Sequence, residues 1–242
     1  LRRTPTPSTL STYNASTRST IVTQDIKQPP VCAQPLIDRV ILNKQTFEDG
    51  NTTGWNNAVL NSNYPQTFTT FLGLYQQGSA FPSKTFHVPL FTDHVIIAFD
   101  FLEIDCWDGV GTNGPDTFGI TIEGDAGLVE HINFGGFDTG IEETYRDGVS
   151  DQGIEWSIES ESFATSPQGF LQYNDQTHHV LITVPPTFFC DNGNGTVQLT
   201  LQWTLTGTID EFAGFDNFHV VACATSDAPA ICPQPEADRI IM

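Results

Sequence analysis

The sequence predicts an all-β fold: a two-sheet antiparallel β-sandwich of the jelly-roll kind, with an extended N-terminal tail and a short C-terminal connector. Three observations carry this. Residues 197–206 alternate strictly, with Val197, Leu199, Leu201, Trp203 and Leu205 on one side and Gln or Thr on the other. That is the pattern of an antiparallel strand with one packed and one wet face. Gly (20) and Pro (15) punctuate short β-branched and aromatic runs, which favours a sandwich or barrel. Helical periodicity of useful length is missing.

Taken in order, residues 1–30 are rich in Ser, Thr and Pro and almost lack large apolar groups. Alone they cannot bury enough surface to offset their ordering entropy, and they read as a linker or an O-glycosylated stalk. Residues 21–26 are suited to joining a sheet edge in the same or a neighbouring subunit. Residues 31–222 read as the sandwich domain. Strands are predicted over 67–72, 84–88, 94–104, 117–122, 153–159, 178–184, 197–206 and 215–221, in a total of about ten to a dozen, enough for two packed sheets.

Residues 223–242 read as a connector, because 231–242 repeats 31–42. Six positions are identical, and Val31/Ile231, Val40/Ile240 and Leu42/Met242 keep their apolar character. Repeats at domain spacing are a signature of arrays. The expectation is a subunit that joins copies of itself head to tail in a filament, since heterologous contacts that do not close give fibres.

Five cysteines in a strand-rich, Lys-poor chain point to an oxidising compartment. Cys106 and Cys190 sit near strand ends and are one expected pair. Cys32 and Cys223 flank the domain, where first and last strands often lie side by side, and are a second. Cys232 is left to pair between molecules, with Cys223–Cys232 as the rival. Sequons at Asn14, Asn51 and Asn194 support secretion, to a cell-surface appendage or matrix. There is no signal peptide or transmembrane run, and the chain starts at Leu1 without Met, as expected of a mature, processed or excerpted product.

Net charge is −20, and between Phe47 and Ser226 the only basic residues are Lys84 and Arg146. Nucleic acid and anionic membranes, which need a Lys/Arg face, are thereby disfavoured as partners. The acidity is accounted for by solubility or by carboxylates that hold Ca²⁺, a hard cation that takes oxygen ligands.

Two short signatures bracket the domain. Thr46-Phe47-Glu48-Asp49-Gly50 with Gly54-Trp55 stands near the start, and Gly214-Phe215-Asp216-Asn217-Phe218-His219-Val220 near the end. Together they resemble the MAM and laminin-G-like group of concanavalin-type jelly rolls, which are extracellular adhesion and assembly modules. The resemblance covers residues 47–221, without the MAM cysteine pattern. It implies a structural Ca²⁺ between the first and last strands, with Glu48 and Asp216 as carboxylate ligands and Asp49 and Asn217 beside them. The alternative for these residues is turn and cap chemistry. A separate Gly-rich stretch places Asp105, Asp108, Asn113 and Asp116 as oxygen donors for a second Ca²⁺, though Asx turns explain the same residues.

Three function classes follow. The main expectation is the non-catalytic filament subunit. The alternative is a carbohydrate-binding or adhesion module, with Trp55, Trp107, Trp156 and Tyr173 as sugar-stacking candidates. The remote alternative is hydrolysis, because Glu103-Ile104-Asp105-Cys106-Trp107-Asp108 resembles the Glu-x-Asp-x-x-Glu strand of family-16 glycoside hydrolases. Retaining hydrolysis needs two carboxyls about 5–5.5 Å apart, and Asp108 is one methylene short. His178 and His179 are neighbours on a strand and so face opposite ways.

Overall fold

The structure is a computed structural model of the chain and describes residues 36–62, 69–90, 92–108, 115–125, 127–138, 145–161, 175–189, 195–206 and 211–225. The 1–30 tail and residues 226–242, with the second copy of the repeat, lie outside these, as do Cys32, Cys190, Cys232, Asn14, Asn113, Tyr173 and Asn194.

Among the described residues there are thirteen strands and one short 3₁₀ turn, Pro186–Phe188. The strands are β1 (Leu36–Gln45), β2 (Trp55–Asn56), β3 (Leu60–Asn61), β4 (Phe71–Tyr75), β5 (Ser83–Val88), β6 (His94–Asp105), β7 (Thr117–Gly124), β8 (Val129–Gly136), β9 (Tyr145–Val149), β10 (Glu155–Ser160), β11 (Gln176–Val184), β12 (Gly195–Thr204) and β13 (Glu211–Thr225). They form two antiparallel sheets. The larger runs β3-β4-β13-β6-β11-β10-β9, with β1 also on β13, and the smaller runs β2-β5-β12-β7-β8.

The predicted sandwich is therefore the observed one. The alternation in β12 places Val197, Leu199, Leu201 and Trp203 inside, as predicted. First and last strands do lie side by side, with Arg39 opposite Cys223. Cys223 is buried and disulfide-bonded. Strands β8 and β9 were not anticipated. In β8 only Ile132 and Phe134 mark the buried side, and β9 is a polar edge strand defined by its pairing to β10.

The two sheets meet through aromatic rings. Phe118 of β7 stacks on Phe101 of β6 with ring centroids 4.1 Å apart and lies 5.6 Å from Phe215 of β13. Trp203 of β12 stacks on Tyr75 of β4 at 4.9 Å. Each fully buried Phe stabilises the fold by roughly 1.5–3 kcal/mol through removal of apolar surface from water.

The only two basic residues between Phe47 and Ser226 join the sheets at opposite edges. Lys84 of β5 donates to Asn43 Oδ1 and Gln45 Oε1 of β1, both at 2.9 Å. Arg146 of β9 donates to the Phe134 and Gly136 carbonyls of β8, both at 2.8 Å, and lies over the Phe137 ring.

Two glycines let the 3₁₀ turn close over the smaller sheet. A Cβ at Gly124 would sit 1.9 Å from the Phe188 carbonyl oxygen, and one at Gly195 would sit 2.0 Å from that of Phe189. Gly195→Ala should therefore lower stability by about 1–3 kcal/mol, the usual cost of overpacking. Urea denaturation reads this directly; an unchanged midpoint would mean that the turn moves aside freely.

Candidate functional site

The segment after β1 builds a polar pocket because one aromatic is pinned beneath it. Phe47 is fully buried, edge-on to Phe218 at 6.0 Å, and takes a positive φ of 60°. Its carbonyl accepts the Gly50 N–H, closing a tight turn. Two Asx contacts continue the loop: Asp49 Oδ1 accepts the Asn51 N–H, and Asn51 Oδ1 accepts the Thr53 N–H, both at 2.9 Å. Glu48, Asp49 and Asn51 are left exposed on the loop.

Together with Asn43, Lys44, Gln45 and Lys84 they line a pocket of about 540 Å³. Its floor is locked. Gln45 accepts from the Trp55 indole N–H at 3.0 Å and donates to the Asn51 carbonyl. Lys84 also donates to the Thr53 carbonyl at 3.0 Å, and burial lowers its pKa. Asn43 gives its oxygen to Lys84, while its Nδ2 is shielded and has no hydrogen-bond partner.

Behind this pocket, Glu48 and Asp216 come within electrostatic reach of each other, as the sequence resemblance implies. Asp216 is pushed up to about 7, chiefly by burial, then by the charges of Asp100 and Glu48. Asn217 takes a positive φ in a bulge of β13, between the Asp216–Asp100 and His219–Ala98 register pairs, and donates to Asp100 at 2.7 Å. Asp100 in turn holds His179 Nδ1 at 2.6 Å, and Glu161 holds the other ring nitrogen at 3.2 Å. Burial works to lower the His179 pKa, but the Asp100 and Glu161 carboxylates outweigh it and the net shift is upward. Asp100, His179 and Glu161 were missed in the sequence; only the outward phase of Asp100 between Phe99 and Phe101 hinted at a polar face. Asp49, the other residue of that set, makes the Asx contact described above.

Of the second predicted metal set, Asn113 lies outside the described residues, and Asp105, Asp108 and Asp116 are not gathered into one metal-ligating group. Asp116 is fully buried and spends both oxygens internally. Its Oδ1 accepts from the Thr206 N–H and hydroxyl, and its Oδ2 from the Asp108 N–H. It braces the chain after β6 against the end of β12. Asp108 is exposed, whereas Asp105 is buried beside Asp175. Among the described residues no three metal-ligating side chains converge.

The three described stacking candidates, Trp55, Trp107 and Trp156, are core residues more than platforms, and Tyr173 lies outside the described residues. Trp107 is fully buried, with its indole N–H on the Phe212 carbonyl at 2.9 Å. Trp55 is 8% exposed beneath Lys84. Trp156 is half-buried, packed on Phe134 and across Gly148. An aromatic in a Gly- and Asp-rich stretch can turn inward when a carbonyl is there to take its N–H. The hydrolase alternative fails on geometry. Glu103 is sealed inside, 2.9 Å from His178, instead of facing an open cleft with Asp108.

No family model matches the sequence, and no curated protein sequence matches it. Solved structures are similar in fold. A CBM22-1 xylan-binding domain from Paenibacillus barcinonensis is 12% identical, covering 77% of this chain and 97% of that one, with a TM-score of 0.40. A CBM27 module studied for specific mannan recognition is 10% identical, covering 77% and 99%, at 0.37. The CBM27-1 module of Caldicellulosiruptor saccharolyticus, in complex with mannohexaose, is 12% identical, covering 76% and 96%, at 0.37. All three are carbohydrate-binding modules. None of the three is a filament subunit, and the filament expectation is withdrawn. At these identities and scores the likeness is one of fold and says nothing of this chain's ligand. Among the described residues no helix is long and apolar enough to cross a membrane.

His178 faces the interior, opposite in direction to His179, as predicted. Burial, then the Arg146 and His179 charges, pushes it down to about 3. It is neutral in the fold, with Nε2–H donating to Glu103 and Nδ1 accepting from the Ser160 hydroxyl. A His whose folded pKa lies below its unfolded one takes up protons on unfolding, so its contribution to stability falls as pH drops from about 6.5. Wild type should lose more stability between pH 7 and 4.5 than His178→Gln does. Equal losses in urea titrations at the two pH values would mean that the fold accepts the imidazolium.

Proposed function

We propose that this chain is a secreted, non-catalytic carbohydrate-binding module, and that glycan hydroxyls are recognised in the pocket between β1, the Phe47–Thr53 loop and β5. The observation that carries this reading is the pocket's inventory. Amides, carboxylates and ammonium groups from Asn43, Gln45, Glu48, Asp49, Lys44 and Lys84 line one concavity, with the Asn43 Nδ2 donor shielded and unused. A sugar ring offers hydroxyls that both donate and accept, and a buried donor gains most by meeting one. The exposed Asn51 at the rim is suited to carrying an N-glycan of its own.

The resemblance to MAM and laminin-G-like modules fits the same reading as an adhesion role. It also supports a structural Ca²⁺ near Glu48 and Asp216, where Asp216 is buried close to two other carboxylates. Such an ion would fix the strand ends that shape the pocket.

Calorimetry against soluble xylo- and manno-oligosaccharides, followed by a broader glycan array, tests the reading. Asn43→Asp keeps the oxygen that Lys84 needs and removes the unused donor, so it should weaken binding by about two- to tenfold, the worth of one hydrogen bond. Affinity indifferent to both Asn43→Asp and Lys44→Ala would move the binding site elsewhere. Separately, Ca²⁺ should raise the melting temperature of wild type more than that of Asp216→Asn.

A further inference from the structure

The far end of β6 carries carboxylates into the sandwich. Glu103 and Asp105 follow the inward phase of Phe99 and Phe101, and both are fully buried. Glu103 is matched by His178. Asp105 instead meets another acid. Asp175, immediately before β11 and 4% exposed, accepts the Asp105 main-chain N–H on Oδ1 at 3.0 Å. Its second oxygen, Oδ2, is shielded from water and has no hydrogen-bond partner. Because Oδ1 is anchored to the end of β6, Oδ2 is held against the same strand end. Glu211, opposite Asp105 on β13, adds a third buried carboxyl to this end of the sandwich.

Among the described residues no basic group acts on Asp175, and Arg39 and Lys44 of β1 lie instead beside His219. Lys84 is committed to β1 at one sheet edge, and Arg146 to the carbonyls of β8 at the other. A buried carboxylate oxygen with no partner is costly, and a metal ion is one of the few things that satisfies it.

We infer that Asp105 and Asp175 hold a divalent cation of the hard, oxygen-seeking class, Ca²⁺, inside this end of the sandwich. Asp175 supplies Oδ2 and Asp105 its carboxylate, and waters and main-chain oxygens complete the six to eight ligands that Ca²⁺ takes. Burial and the Asp105 charge raise the Asp175 pKa to about 7, the crowding that a cation would relieve. The site is separate from the one near Glu48 and Asp216, and it pins β11 to the end of β6, whether or not the chain binds glycans.

The experiment counts Ca²⁺ per full chain by equilibrium dialysis and follows melting with and without Ca²⁺. Asp175→Asn keeps an amide oxygen for the Asp105 N–H, so the fold is retained. It should lose one Ca²⁺ per chain relative to wild type, and the same loss should appear on the Asp216→Asn background. At about 100 times its Kd, an ion bound only to the folded chain raises the melting temperature of a domain this size by roughly 5–10 °C, and Asp175→Asn should forfeit that rise. Asp105→Asn, at a φ of 65° that Asn tolerates, provides a second variant should the first not fold. Equal Ca²⁺ counts in wild type and Asp175→Asn would overturn the inference. So would a wild type that binds no Ca²⁺ and melts below Asp175→Asn at pH 7, because the two carboxyls would then share a proton.

Discussion

Everything in this domain hangs on the aromatic contact between the two sheets. Phe118 reaches from the smaller sheet into a cleft made by Phe99, Phe101 and Phe215 of the larger. Once those rings face inward, strand alternation leaves no freedom for their neighbours. Asp100 must look outward, to His179 and Asn217, and Glu103 and Asp105 must look inward. The polar features on both sides of β6 are thus consequences of where its phenylalanines sit.

A sandwich packed this way still has open sides. Here the sides are joined by two cations, Lys84 and Arg146, each spending donors across the gap between sheets. Lys84 also defines the pocket, because the oxygens it holds belong to Asn43 and Gln45. Its removal would loosen the edge and the pocket together. Asp116 does comparable work at one end, tying the chain after β6 to the end of β12 with both of its oxygens.

The fold was legible because its signals are local. The inward residues of β12, the long apolar run of β6 and the turn residues between strands can be read within ten residues of one another. The Glu48–Asp216 relation was legible only through two short motifs far apart in the chain. Other features depend on which strands pair. Asp175 meets Asp105 across seventy positions because β11 lies on β6, and no periodicity announces that. Trp107 was misplaced for a related reason: its polar surroundings in sequence gave no sign of the Phe212 carbonyl that draws its indole inward. Likewise the Asn217 bulge, which sets the phase of the rest of β13, looks in sequence like an ordinary turn residue.

The commitment of Lys84 and Arg146 to main-chain and amide oxygens has a further result. They are the only basic residues between Phe47 and Ser226, and each lies within a paired strand. An enzyme that cleaves after lysine or arginine therefore finds, across that whole stretch, two bonds, both in extended backbone engaged with a neighbour. To reach either it must first free the strand from its neighbour and draw the side chain out of its hydrogen bonds. Resistance to such proteases is built into the same two side chains that hold the edges shut, and it would be lost with them.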